Sequence, residues 1–348
     1  MAVEPGLLYL DDNSLGRLTR RARRRLAEVV DGEWGTGLIR SWGSWVDLPA
    51  QVGDAIAAHL VGARPGEVVV GDSTTVNLYK AASAAIAARP DARAVVTDDD
   101  NFPTDRYVLE GLAARHGLEY REVASDPVHG PDPGALAPAL DGAAVLCLSH
   151  AAGSVPVDLT GTGADLAVGC TYKYLDGGPG APAFAYVRRE LQATLRQPIW
   201  GWFGRRDQFA MGPGYAPVDG IASWLTGTPA VLGLVCVEEG VGLLAEAGID
   251  RLRAKGMALT SLAVDLADAW LAPQGYTVAS PRDPGRRGSH VTLAHPDAER
   301  IVADAIARAK VVADFRAPDR IRLGPAPLAS RFVDVWDALD RLARLIRR

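Results

Sequence analysis

Six short strand-like runs alternate with stretches of helical spacing, and this alternation restricts the possible fold most. The runs are residues 68–70, 95–97, 119–123, 143–148, 166–170 and 183–187. Between them lie patterns such as residues 48–61, where Val52, Ile56, Ala57 and Leu60 share one face ahead of Gly62. Strands alternating with helices predict an α/β fold with a mostly parallel sheet. Ligands in such sheets sit at the carboxyl ends of strands, where Thr75, Phe102, His150 and Lys173 fall.

The fifth run leads into Thr171-Tyr172-Lys173-Tyr174-Leu175-Asp176-Gly177-Gly178. Lysine is seldom buried without a partner. A partly desolvated amine has a lowered pKa and forms Schiff bases with aldehydes, and glycines beside it let a flat ring approach the backbone. Taken alone, the octapeptide fits better a strand-end lysine reaching to water. The junction Asp72-Ser73-Thr74-Thr75 offers hydroxyls and free N–H groups to an anion, although ordinary helix capping needs only one of them. Phe102 suits either a stacked ring or a loop anchor packed on the core.

The 348 residues allow two domains, and 48% apolar residues allow a large core. We expect divisions at residues 1–47 (an arm joining the smaller domain), 48–235 (a large domain) and 236–348 (a smaller α+β domain). A net charge of −5 gives no general attraction to nucleic acid. The arginine-rich segment 17–25 lacks interleaved aromatics and reads as a solvated helix face. Cys147, Cys170 and Cys236 lie far apart, without metal or redox spacing. No signal peptide or membrane span is visible, so a cytoplasmic protein is expected. Residues 32–45, with three tryptophans and four glycines, read as a binding loop.

Several motifs occur together and in order: Asn13-Ser14-Leu15-Gly16, Thr74-Thr75-Val76-Asn77, Phe102-Pro103-Thr104-Asp105, Tyr172-Lys173-Tyr174-Leu175, Gly201-Trp202-Phe203-Gly204 and Arg320-Ile321-Arg322-Leu323-Gly324-Pro325. From Leu8 to the C-terminus the chain resembles the kynureninases, pyridoxal-phosphate enzymes of the aspartate-aminotransferase fold type. The resemblance implies that Lys173 is the Schiff-base lysine and that Thr74, Thr75 and Tyr172 hold the phosphate. It implies that Phe102 stacks on the pyridine ring, that Asp105 supports the phosphate end, and that His150 serves cofactor and substrate. Trp202 and Thr228 match positions that reach the partner's site across a homodimer, and Arg322 matches the arginine that pairs with the substrate α-carboxylate. The implied reaction is hydrolysis of the β–γ carbon bond of kynurenine or 3-hydroxykynurenine, giving alanine and an aryl carboxylate, with Tyr172 as a proton donor. That reaction belongs to tryptophan breakdown and the route to NAD. His59, Trp42 and Trp45 are too loosely placed to decide between the two substrates.

One departure stands out. In the family, the strand matching residues 143–149 leads into a helix and another strand before an Asp-Leu-(Ser/Ala)-His element. Here Leu148-Ser149-His150 runs straight into a segment resembling the stretch on the far side of that element, so about 30 residues are absent, the size of a strand-plus-helix unit. They would have carried the aspartate opposite the pyridine nitrogen, and the aligned position is Cys147. A true deletion would remove a central strand and that anion, costs which favour omission. Two alternatives stay open: a cofactor-poor pseudoenzyme, which the gap supports, and a cysteine desulfurase-like lyase, which would need a reactive cysteine on a mobile loop.

Overall fold

The computed structural model describes residues 4–147 and 152–346. The expected α/β alternation is present. Strands β1 (Leu8–Tyr9), β2 (Val68–Val70), β3 (Ala94–Asp98), β4 (Glu119–Val123), β5 (Ala143–Cys147), β6 (Leu166–Gly169) and β7 (Phe184–Val187) alternate with helices α1 (Arg20–Glu28), α2 (Leu48–Leu60), α3 (Thr74–Ala87) and α4 (Pro103–His116). Helices α5 (Val231–Ala247) and α6 (Ile249–Leu266) come next, separated at Gly248. The C-terminal part comprises β8 (Thr277–Val278), β9 (Val291–Ala294), α7 (Ala298–Ala309), β10 (Val311–Val312), β11 (Asp314–Arg316), β12 (Arg320–Leu323) and α8 (Phe332–Ile346).

Among the described residues the central strands form two three-stranded sheets, ordered β4-β3-β5 and β2-β7-β6. The first is parallel throughout. In the second, β7 runs antiparallel to both neighbours, so β2 and β6 share a direction. Helix α3 packs across both, touching β5 of one sheet and β6 and β7 of the other. Strand β7 is buried at all four residues, whereas every residue of β6 is only half-buried. Among the described residues no ladder joins β5 to β6, the strands on either side of the expected shortfall. The Ser149–His150 junction, whose geometry bears on that shortfall, lies outside the described residues.

The C-terminal domain is a four-stranded antiparallel sheet, β8-β9-β12-β11, covered by α6, α7 and α8. Leu8 and Leu10 complete its core, because β1 pairs in parallel with β10. On α8, Val335, Leu339 and Leu342 are buried as the helical period requires. Two residues expected on that face stay half-exposed: Phe332, at the first position, and Trp336, which lies edge-on to Trp270 at 4.7 Å.

Residues 32–45 are not a loop. Helical turns run on through Val29–Gly37, Leu38–Ser41 and Trp42–Trp45. Glu33 supplies the reason: its carboxylate accepts from Arg25 Nη1 and Trp45 Nε1, both at 2.6 Å, and its carbonyl accepts from Ser41 Oγ at 2.6 Å. These bonds offset the poor helix propensity of the glycines.

The segment carrying Lys173 is held from two sides. Helix α5 lies so close that a Cβ at Gly240 would stand 1.9 Å from the Leu175 carbonyl oxygen, and backbone cannot give way there. From the other side, Gly16 N–H donates to the Tyr172 carbonyl (2.8 Å) and Arg17 N–H to Asp176 Oδ1 (2.9 Å). Asp176 is buried at φ 54°, and burial, reinforced by Asp12, pushes its carboxyl up to about 7.

Two outcomes are expected. Gly240→Ala forces overpacking against backbone, with a cost of about 1–3 kcal/mol and a melting temperature lower by a few degrees; an unchanged melting temperature would contradict the contact. The folded Asp176 pKa lies above its unfolded value, so its contribution is complete below pH 3.8 and is lost as pH rises through about 7. Asn cannot ionise, tolerates positive φ and keeps the acceptor for Arg17. Asp176→Asn is therefore expected to melt above the parent at pH 8, with the difference shrinking toward pH 4.5; a difference independent of pH would refute the shift.

Candidate active site

The turn at Asn13–Gly16 starts the site. Buried Asp12 anchors it, accepting from Arg17 Nε (3.0 Å) and Nη2 (2.9 Å), while Arg17 Nη2 also reaches the Tyr9 carbonyl (2.6 Å) and Ser330 Oγ (3.0 Å). This fixes Ser14 and Leu15 in the wall of a cavity of about 610 Å³. Its other walls are the α3 entrance at Gly71–Thr74, Tyr172, Pro179–Pro182 and the stretch Leu225–Ala230. The volume suits a small organic ligand.

The α3 entrance opens into the cavity. Ser73 caps the helix through Val76 N–H (3.3 Å), which leaves Thr74 half-buried in the cavity wall. Asp72, also in the wall, does not oppose an anion there. Its carboxylate accepts from buried Lys80 Nζ (2.9 Å) and from Thr226 Oγ1 (2.9 and 3.1 Å). Lys80 Nζ continues to the Trp224 carbonyl (2.7 Å), so one buried amine ties α3 to the stretch bearing Thr228. Burial lowers the Lys80 pKa and Asp72 counteracts it.

Tyr172 lines the same cavity, and Lys173 follows it in the chain. The half-buried Lys173 amine lies 5.8 Å from the Tyr172 ring centroid. Burial, then Cys170 and Asp105, raises the Tyr172 phenol, which stays protonated at neutral pH. Asp105 is buried in the first turn of α4, and its charge acts on both Tyr172 and Cys170. Beyond Lys173 lies the C-terminal sheet, whose Arg322 contacts Ser14 Oγ (3.4 Å) and Asp314 Oδ2 (2.8 Å from Nε). His290, just before β9, lies in the field of Arg322 and Lys173. Burial and these two cations push its imidazole down to about 4, so it is neutral near pH 7.

Of the residues expected from the sequence, Thr74, Tyr172 and Thr228 line one cavity, with Lys173 beside it and Arg322 reaching its edge through Ser14. Thr75 is exposed on α3, and Phe102 is 45% exposed at the α4 N-cap position, so neither is in the cavity wall. Trp202 stands apart in an aromatic cluster, 5.8 Å from Trp42 and from Phe209, ring to ring. His59 is exposed on α2. His150 lies outside the described residues. Sequence reasoning missed Asp72, Lys80, Thr226, His290 and Asp314. A lone lysine on the alanine-rich face of α3 was the available signal for Lys80; the others are brought in by tertiary packing.

The family model for the kynureninase C-terminal domain matches residues 252–342. A curated kynureninase from Pseudomonas fluorescens is 41% identical over 381 positions, covering 100% of this chain and 91% of that protein. One from Burkholderia pseudomallei (strain K96243) is 38% identical over 99% of this chain and 90% of that protein. The first alignment exceeds the 348-residue chain by 33 positions, so at least that many face gaps in this chain. Among solved structures, an apo cysteine desulfurase from Thermococcus onnurineus NA1 superposes with a TM-score of 0.82 at 16% identity, covering 98% of this chain and 95% of that one. A C-DES mutant with glycine covalently linked to its pyridoxal-phosphate cofactor gives 0.79 at 16% identity, covering 97% of each chain. The fold is that of the fold-type-I pyridoxal-phosphate enzymes, and identity along the whole chain makes it a member of the kynureninase family.

Proposed function

We infer that this chain hydrolyses kynurenine, or its 3-hydroxy form, to alanine and the corresponding anthranilate, with pyridoxal phosphate as cofactor. The observation that carries the reading is the placement of a half-buried lysine and a protonated phenol between an anion-binding helix start and an arginine. The α3 entrance with Thr74, and Thr228 opposite, would hold the phosphate, and Lys173 would bear the cofactor's aldehyde carbon. When bound there, the cofactor supplies a ring that takes up electrons from the bond to be broken. Lys173 Nζ then moves a proton at the substrate α-carbon, Tyr172 Oη holds one for the departing carbon, and Arg322 orients the α-carboxylate. Water adds across the β–γ bond.

Two other readings are less favoured. A desulfurase-like lyase needs an activated thiol, yet burial raises the pKa of Cys170 and Cys236, the two cysteines whose side chains the structure describes. A cofactor-poor pseudoenzyme conflicts with the retained lysine, anion cradle and arginine. We place the relatives' additional positions between β5 and β6, supported by the divided sheet and half-buried β6. A strand there would complete one sheet beneath α3, which favours omission over loss. The reading also carries a cytoplasmic location and a homodimer with shared sites. The expected limit at residue 235 would cut α5, whose Val235, Val237 and Val241 share one core with Leu175, so the break at Gly248 is the better limit. Exposed Trp34, Ile39, Trp200, Phe209 and Met211 support an apolar interface beside Trp202. No described helix is long and apolar enough to cross a membrane.

Lys173→Ala is expected to abolish anthranilate release and the visible absorption band of bound cofactor. Residual turnover above about one part in a thousand would refute the covalent role. Trp202→Ala is expected to weaken cofactor binding, and mixing it with Lys173→Ala should restore activity in heterodimers. No restoration would place both residues in one subunit's site.

A further inference from the structure

We propose that Asp314 is a positioning residue for Arg322, fixing which edge of the guanidinium faces an incoming α-carboxylate. The inference rests on reading Arg322 as the carboxylate anchor. The two residues are directly opposed across β11 and β12, so the backbone ladder sets their separation. Asp314 Oδ2 accepts from Arg322 Nε (2.8 Å) and also from Nη2, which occupies the Nε–Nη2 edge. The same oxygen lies 3.1 Å from Arg316 Nε, so the carboxylate is itself held from a second direction. Arg322 Nη2 reaches Ser14 Oγ, whereas Nη1 makes no hydrogen bond among the described residues. The edge turned toward the cavity wall that Ser14 forms is thus Nη1–Nη2, where a two-bond grip on a carboxylate would use Nη1 and replace the long Nη2–Ser14 contact.

The surrounding charges leave this task to Asp314. Thr292 is Arg322's opposite neighbour on β9 and brings no charge. His290, two residues earlier on the same face, is neutral near pH 7. Asp11 lies in the field of Asp314 and Arg322, but burial raises its carboxyl above the usual range, and it forms no ion pair with Arg322 among the described residues. Without Asp314 the guanidinium keeps its charge and loses its fixed direction. Ligand capture then suffers through orientation.

The test uses the pyridoxal-phosphate-loaded protein and two readouts: affinity for L-alanine by calorimetry, and kcat and KM for kynurenine. Asp314→Ala is expected to weaken alanine binding and raise KM roughly tenfold or more, as loss of a charged hydrogen bond would. Asp314→Asn, which keeps one acceptor, should fall between that variant and the parent. In an Arg322→Ala background Asp314→Ala should add nothing, because the two act as one unit. Unchanged alanine affinity and KM in Asp314→Ala, with only a lower melting temperature, would overturn the proposal and leave the Arg322 reading intact. Additive losses in the double variant would also overturn it. Unchanged affinity in Arg322→Ala alone would instead remove the anchor reading, and the proposal with it. Should Asp314→Ala fail to fold, Asp314→Asn decides: parental alanine affinity and KM count against the proposal.

Discussion

The buried Asp12–Arg17 pair is the contact on which the site's geometry depends. Taking two charges out of water is costly unless their remaining hydrogen-bonding groups find partners. Here Arg17 also serves the Tyr9 carbonyl and Ser330, and Asp12 also accepts from Ala326 N–H (3.2 Å). The pair therefore joins the first strand to the segment after β12, while the Gly16 and Arg17 backbones grip the lysine segment. A Cβ at Gly16 would meet the Lys173 carbonyl oxygen at 2.1 Å, so this docking requires glycine. One short N-terminal turn thus ties the lysine segment to the C-terminal sheet that bears Arg322.

The electrostatics of the site depend on which charges are balanced. Lys80 is neutralised by Asp72 and serves as a strut. Arg322 is partly balanced by Asp314, and His290 carries no charge at neutral pH. Lys173 stands opposite a phenol held in its protonated form. On the proposed function, a zwitterionic amino acid entering this space would meet Arg322 with its carboxylate and Lys173 with its amino end. Neither cation is sequestered deep in the core, and neither is freely solvated.

Much of this was legible in the sequence because period and punctuation were strong. Residues 119–123 form a strand and 298–309 a helix, as read, and Gly248 separates two long helices. The resemblance singled out Tyr172 and Arg322, while local rules pointed on their own to Lys173 after a strand and to Thr74 at a strand-to-helix junction. Three features were beyond those rules. Glu33 turns a glycine-rich stretch helical through bonds to Arg25 and Trp45, residues eight before and twelve after it. Lys80 is buried because Asp72 and Trp224 come to it from different parts of the chain. The association of Asp314, His290 and Arg322 requires the strand register, which no single-strand pattern contains.

The divided sheet has a consequence for colloidal behaviour. Among the described residues, β6 has β7 on one side and no strand on the other, so one row of its N–H and C=O groups is left unsatisfied by any ladder. Its residues, Leu166-Ala167-Val168-Gly169, carry no charge, no proline and no bulge. Those are the devices by which proteins keep exposed strand edges from recruiting neighbours. The nearest charges are Asp165 and Arg188, paired with each other at 2.5 Å beside the strand. An uncharged strand edge of this kind is a template for any extended segment of the right polarity unless another strand covers it.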